Sequence, residues 1–127
     1  MIKQVFNVEH YWKVIVYYNV NYNLFDYILD DLHKANISAK TIDTAFYNMS
    51  THKAKAVTFS NIYKHMSVIL FNTHKQYYDY INSIVHEAEH VKQAMLKAYN
   101  VEDYGEPPAY TIGYLASKML MILQYLQ

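Results

Sequence analysis

The sequence predicts an α+β fold in which a small, mostly antiparallel sheet of about three strands packs on helices. Three stretches rich in β-branched and aromatic residues predict the strands, namely residues 12–20, residues 54–59 and Met66–Phe71. A run over residues 75–99 contains neither glycine nor proline and repeats apolar residues at helical spacing. The chain has 127 residues, 53% of them hydrophobic, so we expect a single domain over residues 1–127.

The three predicted strands differ in how much they are expected to be covered. Residues 12–20 (WKVIVYYNV) are too uniformly apolar for a clean alternation of buried and exposed positions. Residues 60–65 separate the other two strands and suit a turn or a short hairpin connection. Met66–Phe71 is expected to be an ordinary buried strand, the alternative being an edge on which an extended peptide pairs.

Four helices are predicted from apolar spacing and from capping residues. The first covers residues 24–36 behind Asn23 as a cap, and the second covers residues 39–49 behind Ser38. The third begins after Asn72 and Thr73 and runs over residues 75–99. The last begins at the Gly-Glu-Pro-Pro break of residues 105–108 and ends near residue 125, with Pro107 at its first position.

Composition excludes several classes of partner. Eleven basic and eleven acidic residues give zero formal charge without a long basic run, so nucleic acid is not expected as a partner. The absence of cysteine means that any metal must be bound by nitrogen and oxygen ligands. No secretory signal and no apolar window of membrane-spanning length occur, so we expect a cytoplasmic protein that does not bind membranes.

The motif that indicates chemistry is His86-Glu87-Ala88-Glu89-His90 in the third predicted helix. Histidines four residues apart lie on one helical face and can both bind one zinc ion. Glu87 would then lie beside the metal, where its carboxylate can take a proton from zinc-bound water as that water attacks a peptide carbonyl. The competing interpretation is that these are ordinary solvated helix residues, since isolated matches to this motif are common.

A catalytic zinc site normally has three protein ligands, and a carboxylate at the start of the last helix is the best candidate for the third. Glu106 follows His90 by sixteen residues across a turn, and Glu102 and Asp103 are rivals. Glu106 is otherwise an acidic first-turn residue favoured by the helix dipole. Tyr110, one turn later, can donate a hydrogen bond to a ligand carboxylate or to the oxyanion of the tetrahedral state. The other five histidines have no paired spacing and are expected at the surface.

These residues resemble a known family. The runs Val57-Thr58-Phe59-Ser60-Asn61, Ser67-Val68-Ile69-Leu70, residues 81–90, and Gly105-Glu106 with Ala109-Tyr110 are similar to minimal gluzincin-type zinc metallopeptidases, specifically small uncharacterised ones of gut bacteria and their phages. The resemblance covers roughly the C-terminal two thirds. It implies a zincin-like fold with zinc bound by His86, His90 and Glu106, with Glu87 catalytic. Pro107-Pro108 and Tyr110 depart from the family pattern.

Two functions therefore follow from the sequence. The first is a zinc-dependent peptidase that cuts a peptide or protein substrate in a shallow groove, completed where needed by a partner or by a homo-oligomer. The alternative is a non-catalytic structural or interaction module, such as a virion or assembly component, whose zinc site is structural or vestigial.

Overall fold

The computed structural model describes residues 1–126 and has four strands and four helices. The strands are β1 (Ile2–Val8), β2 (Trp12–Tyr18), β3 (Ala56–Asn61) and β4 (Met66–Phe71). The helices are α1 (Phe25–Lys34), α2 (Ala39–Ser50), α3 (Tyr77–Tyr99) and α4 (Glu106–Leu120), with single 3-10 turns at Tyr22–Leu24 and Leu123–Tyr125. None of the helices in this described part is both long and apolar enough to cross a membrane.

The four strands form one mixed sheet in the order β1-β2-β4-β3. β1 pairs antiparallel with β2, β2 pairs parallel with β4, and β3 pairs antiparallel with β4. The α+β class is confirmed, but the expectation of about three strands is wrong, because β1 adds an edge strand. β1 alternates half-buried and exposed residues, a pattern that arises from covering one face only.

Helices cover both faces of the sheet. One apolar cluster joins α3 and α4 to residues of β2 and β4 such as Val16 and Ile69. A second cluster joins α1 and α2 to Ile15 and Val68, their neighbours on the opposite face. Because β2 and β4 are buried on both faces, their sequences are apolar throughout rather than alternating. The prediction that Met66–Phe71 is an ordinary buried strand is therefore confirmed.

On its face of the sheet, α3 covers the half with β3 and β4, and α4 covers the half with β1. The side chain of Gln4 in β1 donates to the Lys118 carbonyl of α4 at 2.8 Å, and the Tyr114 hydroxyl donates to the Asn7 carbonyl at 3.2 Å. α3 therefore lies between α4 and the free edge of β3. This order decides which residues can meet at a site.

Several helix boundaries differ from the sequence expectation. Asn23 does not cap α1; instead the Asn21 side chain accepts from the Asn23 backbone and opens the 3-10 turn before α1. Ser38 caps α2 as predicted. α3 begins at Tyr77 rather than just after Thr73. α4 ends at Leu120, followed by a separate 3-10 turn.

Candidate functional site

The site predicted from the sequence begins with two histidines that α3 presents to solvent. Nε2 of His86 and Nε2 of His90 lie 3.2 Å apart, and both side chains are exposed. One helical turn separates the two residues, so their rings lie one above the other on the helix surface. The buried positions of α3 lie on another side, including Ile84, Ala88 and Val91. The prediction that these histidines are not core residues is confirmed.

The distance between the two Nε2 atoms fits zinc ligation. Zinc–nitrogen bonds of about 2.0–2.1 Å at a tetrahedral angle place two ligand nitrogens about 3.3–3.4 Å apart. The same distance also suits a hydrogen bond from one protonated Nε2 to the other. The spacing of the pair is therefore compatible with a shared cation and with a direct hydrogen bond between the two rings.

Glu87 lies beside the pair but is buried, with 5% of its surface exposed. Its Oε1 accepts a hydrogen bond from the Thr58 hydroxyl of β3 at 2.9 Å, and its Oε2 lies 4.0 Å from His86 Nε2. One carboxylate oxygen is thus held by the sheet, while the other lies beside the imidazoles. Such an arrangement orients a carboxylate for proton transfer beside a metal.

The histidines and Glu87 line a shallow open pocket of about 330 Å³ against β3. Thr58 and Ser60, alternate residues of β3, contribute to the same pocket, as does Ala94 of α3. Since β3 is an edge strand of the sheet, the pocket opens beside a strand whose outer backbone groups do not pair within the sheet.

Glu106 and Tyr110 lie elsewhere. Both line a groove with Leu96 on the flank of α3 that faces α4. At about 100° per residue, Leu96 is on roughly the opposite side of α3 from Ala94, which lines the histidine pocket. Within residues 1–126 no group of three or more His, Asp or Glu side chains is placed to hold a metal. The structure therefore brings together His86, Glu87 and His90 and does not bring Glu106 or Tyr110 to them.

The rival ligand Asp103 is engaged in a different set of contacts. It forms an ion pair with Lys92 at 3.0 Å and accepts a hydrogen bond from the Gln93 side chain at 2.6 Å. Glu89 binds the same two residues, each at 2.9 Å. The Lys92 contact, followed by that of Gln93, lowers the pKa of Asp103, and the Gln93 contact, followed by that of Lys92, lowers the pKa of Glu89. These contacts fasten the α3–α4 connection to α3, and Glu102 is exposed beside them.

Thr58 is the residue of this site whose role the sequence reasoning missed. Nothing in its spacing relates it to Glu87, twenty-nine residues away, because the contact depends on how α3 packs across β3.

His74, expected at the surface, is half-buried and lies between the Asn72 carbonyl and the Ser83 hydroxyl, at 2.6 and 2.7 Å. Burial lowers the pKa of His74, whose contacts join the end of β4 to α3.

Comparison of the chain with models of known protein families, with curated proteins and with solved structures finds no match. The resemblance to gluzincin-type peptidases, and with it the zincin-like fold, stays a prediction.

Proposed function

We propose that the protein is a zinc-dependent amide hydrolase of the metallopeptidase type, with His86 and His90 as zinc ligands and Glu87 as the general base. The observation that supports this most is the pair of imidazole Nε2 atoms 3.2 Å apart beside a buried, oriented carboxylate. Burying a carboxylate costs free energy, so a glutamate buried against a threonine of the neighbouring strand is not expected on an ordinary solvated helix face.

The chemistry divides between the ion and the chain. Zinc supplies a Lewis acid that acidifies water and polarises a carbonyl group. Glu87 Oε2 takes the proton of the attacking water, whose oxygen forms a bond to the carbonyl carbon. Glu87 Oε2 then delivers that proton to the amide nitrogen as the carbon–nitrogen bond breaks. Thr58 keeps Oε1 occupied, so Oε2 is the oxygen that carries the proton.

The pocket supports a peptide as the substrate class. It opens along β3, and an extended chain can pair with the edge of a sheet through backbone hydrogen bonds. Its shallow, open shape favours a segment of protein chain over a small molecule, which is normally enclosed on most sides.

The third protein ligand predicted from the sequence, Glu106, does not lie beside the two imidazoles in the structure. For Glu106 to meet the imidazoles, the α3–α4 connection has to move, against the contacts of Asp103 with Lys92 and Gln93. Two protein ligands alone bind zinc more weakly than three. The Glu106→Gln variant tests this point: reduced zinc affinity means that Glu106 joins the site, and unchanged affinity means that it does not.

Within residues 1–126 no third ligand lies beside the two imidazoles. This favours a second candidate function, a non-catalytic module that serves structure or assembly. In this version the imidazole pair binds zinc structurally or not at all, and no carboxylate completes a catalytic centre. The two candidates differ in whether cleavage depends on Glu87.

Two measurements, made on the wild type and on variants, separate the candidates. Elemental analysis of the purified protein gives the zinc content, and a peptide library reports cleavage. Both are repeated for Glu87→Gln and for the control Asp43→Asn, an exposed acidic position on α2. One zinc per chain with cleavage that only Glu87→Gln abolishes supports the hydrolase. Zinc without cleavage supports the module, and a protein that binds no zinc contradicts both zinc-dependent versions.

A further inference from the structure

The groove that contains Glu106 and Tyr110 is a second concave surface, separated from the histidine pocket by α3. It has a volume of about 420 Å³ and adjoins another pocket of about 360 Å³, with Tyr110 and Thr111 lining both. Together they follow the tip of the β1–β2 hairpin and the first turns of α4. We refer to the two pockets together as the hairpin groove.

The walls of the hairpin groove are apolar and aromatic, yet open to solvent. Leu96 and Pro107 line it, and the residues Tyr99 and Tyr110 are 41% and 68% exposed. Tyr99 is held in place from behind, since its ring packs edge-on against Trp12 and His65. An aromatic surface fixed in this way and left uncovered is typical of a binding site.

The hairpin groove is lined by two carboxylates and by one histidine, His10. Glu9 and Glu106 line it, whereas no lysine does, and within residues 1–126 neither glutamate forms an ion pair. The Glu9 carboxylate lies close enough to the Tyr99 hydroxyl to add to the effect of burial, which raises the pKa of that tyrosine. Two carboxylates beside two tyrosine rings complement a cation that has an apolar or flat face.

From this arrangement we propose that the hairpin groove binds an arginine-bearing, apolar segment of another protein. The planar guanidinium of arginine stacks on tyrosine rings and pairs with a carboxylate, whereas the lysine ammonium is a compact, more strongly hydrated charge. The chain contains lysines but no arginine. A second copy of the chain therefore cannot supply the side chain that fits best, and the occupant is a different protein.

Peptide titration followed by amide NMR spectra tests this proposal on the full chain. The probes are Ac-Leu-Arg-Leu-NH₂ and the same peptide with citrulline, which keeps the shape of arginine and lacks its charge. We expect saturable shifts at Glu9, Tyr99, Tyr110 and Thr111 with the arginine peptide, and at least about threefold weaker binding of the citrulline peptide.

Variants locate the binding and separate it from the zinc site. Glu9→Gln and Tyr110→Ala should each weaken binding about threefold. Asp43→Asn and Tyr63→Ala, exposed positions on α2 and in the β3–β4 turn, should leave it unchanged. His86→Ala should also leave it unchanged, so the result is independent of the proposed hydrolase. Absence of saturable shifts, equal binding of both peptides, or an equal effect of Asp43→Asn and Glu9→Gln would overturn the proposal.

Discussion

The contact between Glu87 and Thr58 shows at the level of single residues how the proposed site is built. A buried carboxylate is stable only when its oxygens have hydrogen-bond donors, and the Thr58 hydroxyl supplies one at 2.9 Å. The free energy of burying Glu87 therefore depends on β3 holding the Thr58 hydroxyl within hydrogen-bond distance. Helix and sheet are joined at the place where the chemistry is expected.

Replacing Thr58 with valine should expose this dependence. The substitution preserves the shape of the side chain and leaves Glu87 Oε1 without its donor, which should lower the free energy of unfolding by about 1–3 kcal/mol. Urea denaturation of Thr58→Val and of Thr58→Ser measures the effect. Thr58→Ser retains the hydroxyl and should remain close to the wild type; an equal loss in both variants would show that packing, rather than the hydrogen bond, matters.

The connection between α3 and α4 is held by charged contacts whose strength depends on pH. The pKa values of Asp103 and Glu89 are lowered in the folded protein, so these groups stabilise it above their unfolded pKa values of about 4. This contribution is lost as the pH falls through their lower folded values. Thermal unfolding from pH 6 to pH 2 should show a smaller decrease in Tm for Asp103→Asn than for the wild type, while Asp43→Asn should follow the wild type.

At the level of elements, the N-terminus of α2 is stabilised by a side-chain cap that α1 lacks. The Ser38 side chain accepts a hydrogen bond from the Thr41 backbone, whereas Asn23 caps no helix. Ser38→Ala should therefore cost about 1 kcal/mol of stability. Asn23→Ala should cost much less in the same denaturation measurement, and a similar loss in both variants would contradict the capping roles.

The sequence predicted the elements that carry their own periodic signal and missed those that depend on tertiary contacts. The long helix with both histidines was predicted within two residues of its observed start, because its buried stripe repeats at 3.6 residues. β1 was missed because its sequence does not alternate cleanly, since the polar Gln4 lies on the covered face and the apolar Val5 on the exposed face. The place of Glu106 depends on which flank of α3 receives α4, and local sequence spacing does not specify that choice.

The whole molecule has two apolar cores that share one sheet. β2 and β4 contribute side chains to both, so loosening either core should weaken the other through the same strands. Leu32 of α1 and Leu115 of α4 are fully buried in opposite cores. Leu32→Ala and Leu115→Ala should each lower the free energy of unfolding by about 2–5 kcal/mol. Far-UV circular dichroism and tyrosine fluorescence should still report a single common transition, and two separate transitions would contradict the shared core.

The arrangement of layers also separates the two candidate surfaces. α3 presents the histidine pocket on the flank towards β3 and contributes to the hairpin groove on the flank towards α4. A ligand in one surface does not occupy the other. A hydrolytic site and a partner site can therefore be tested independently by substitutions on opposite flanks of one helix.

Zinc affinity is the measurement that tests the central claim most directly. Competition with a chromogenic chelator gives the zinc stoichiometry and Kd for the wild type, for His86→Ala and His90→Ala, and for His33→Ala, an exposed histidine on the opposite face of the sheet. The proposed site predicts one zinc per chain, at least tenfold weaker binding for His86→Ala and His90→Ala, and no change for His33→Ala. A wild-type protein that binds no zinc, or that binds it equally well without either imidazole of the pair, would contradict the account.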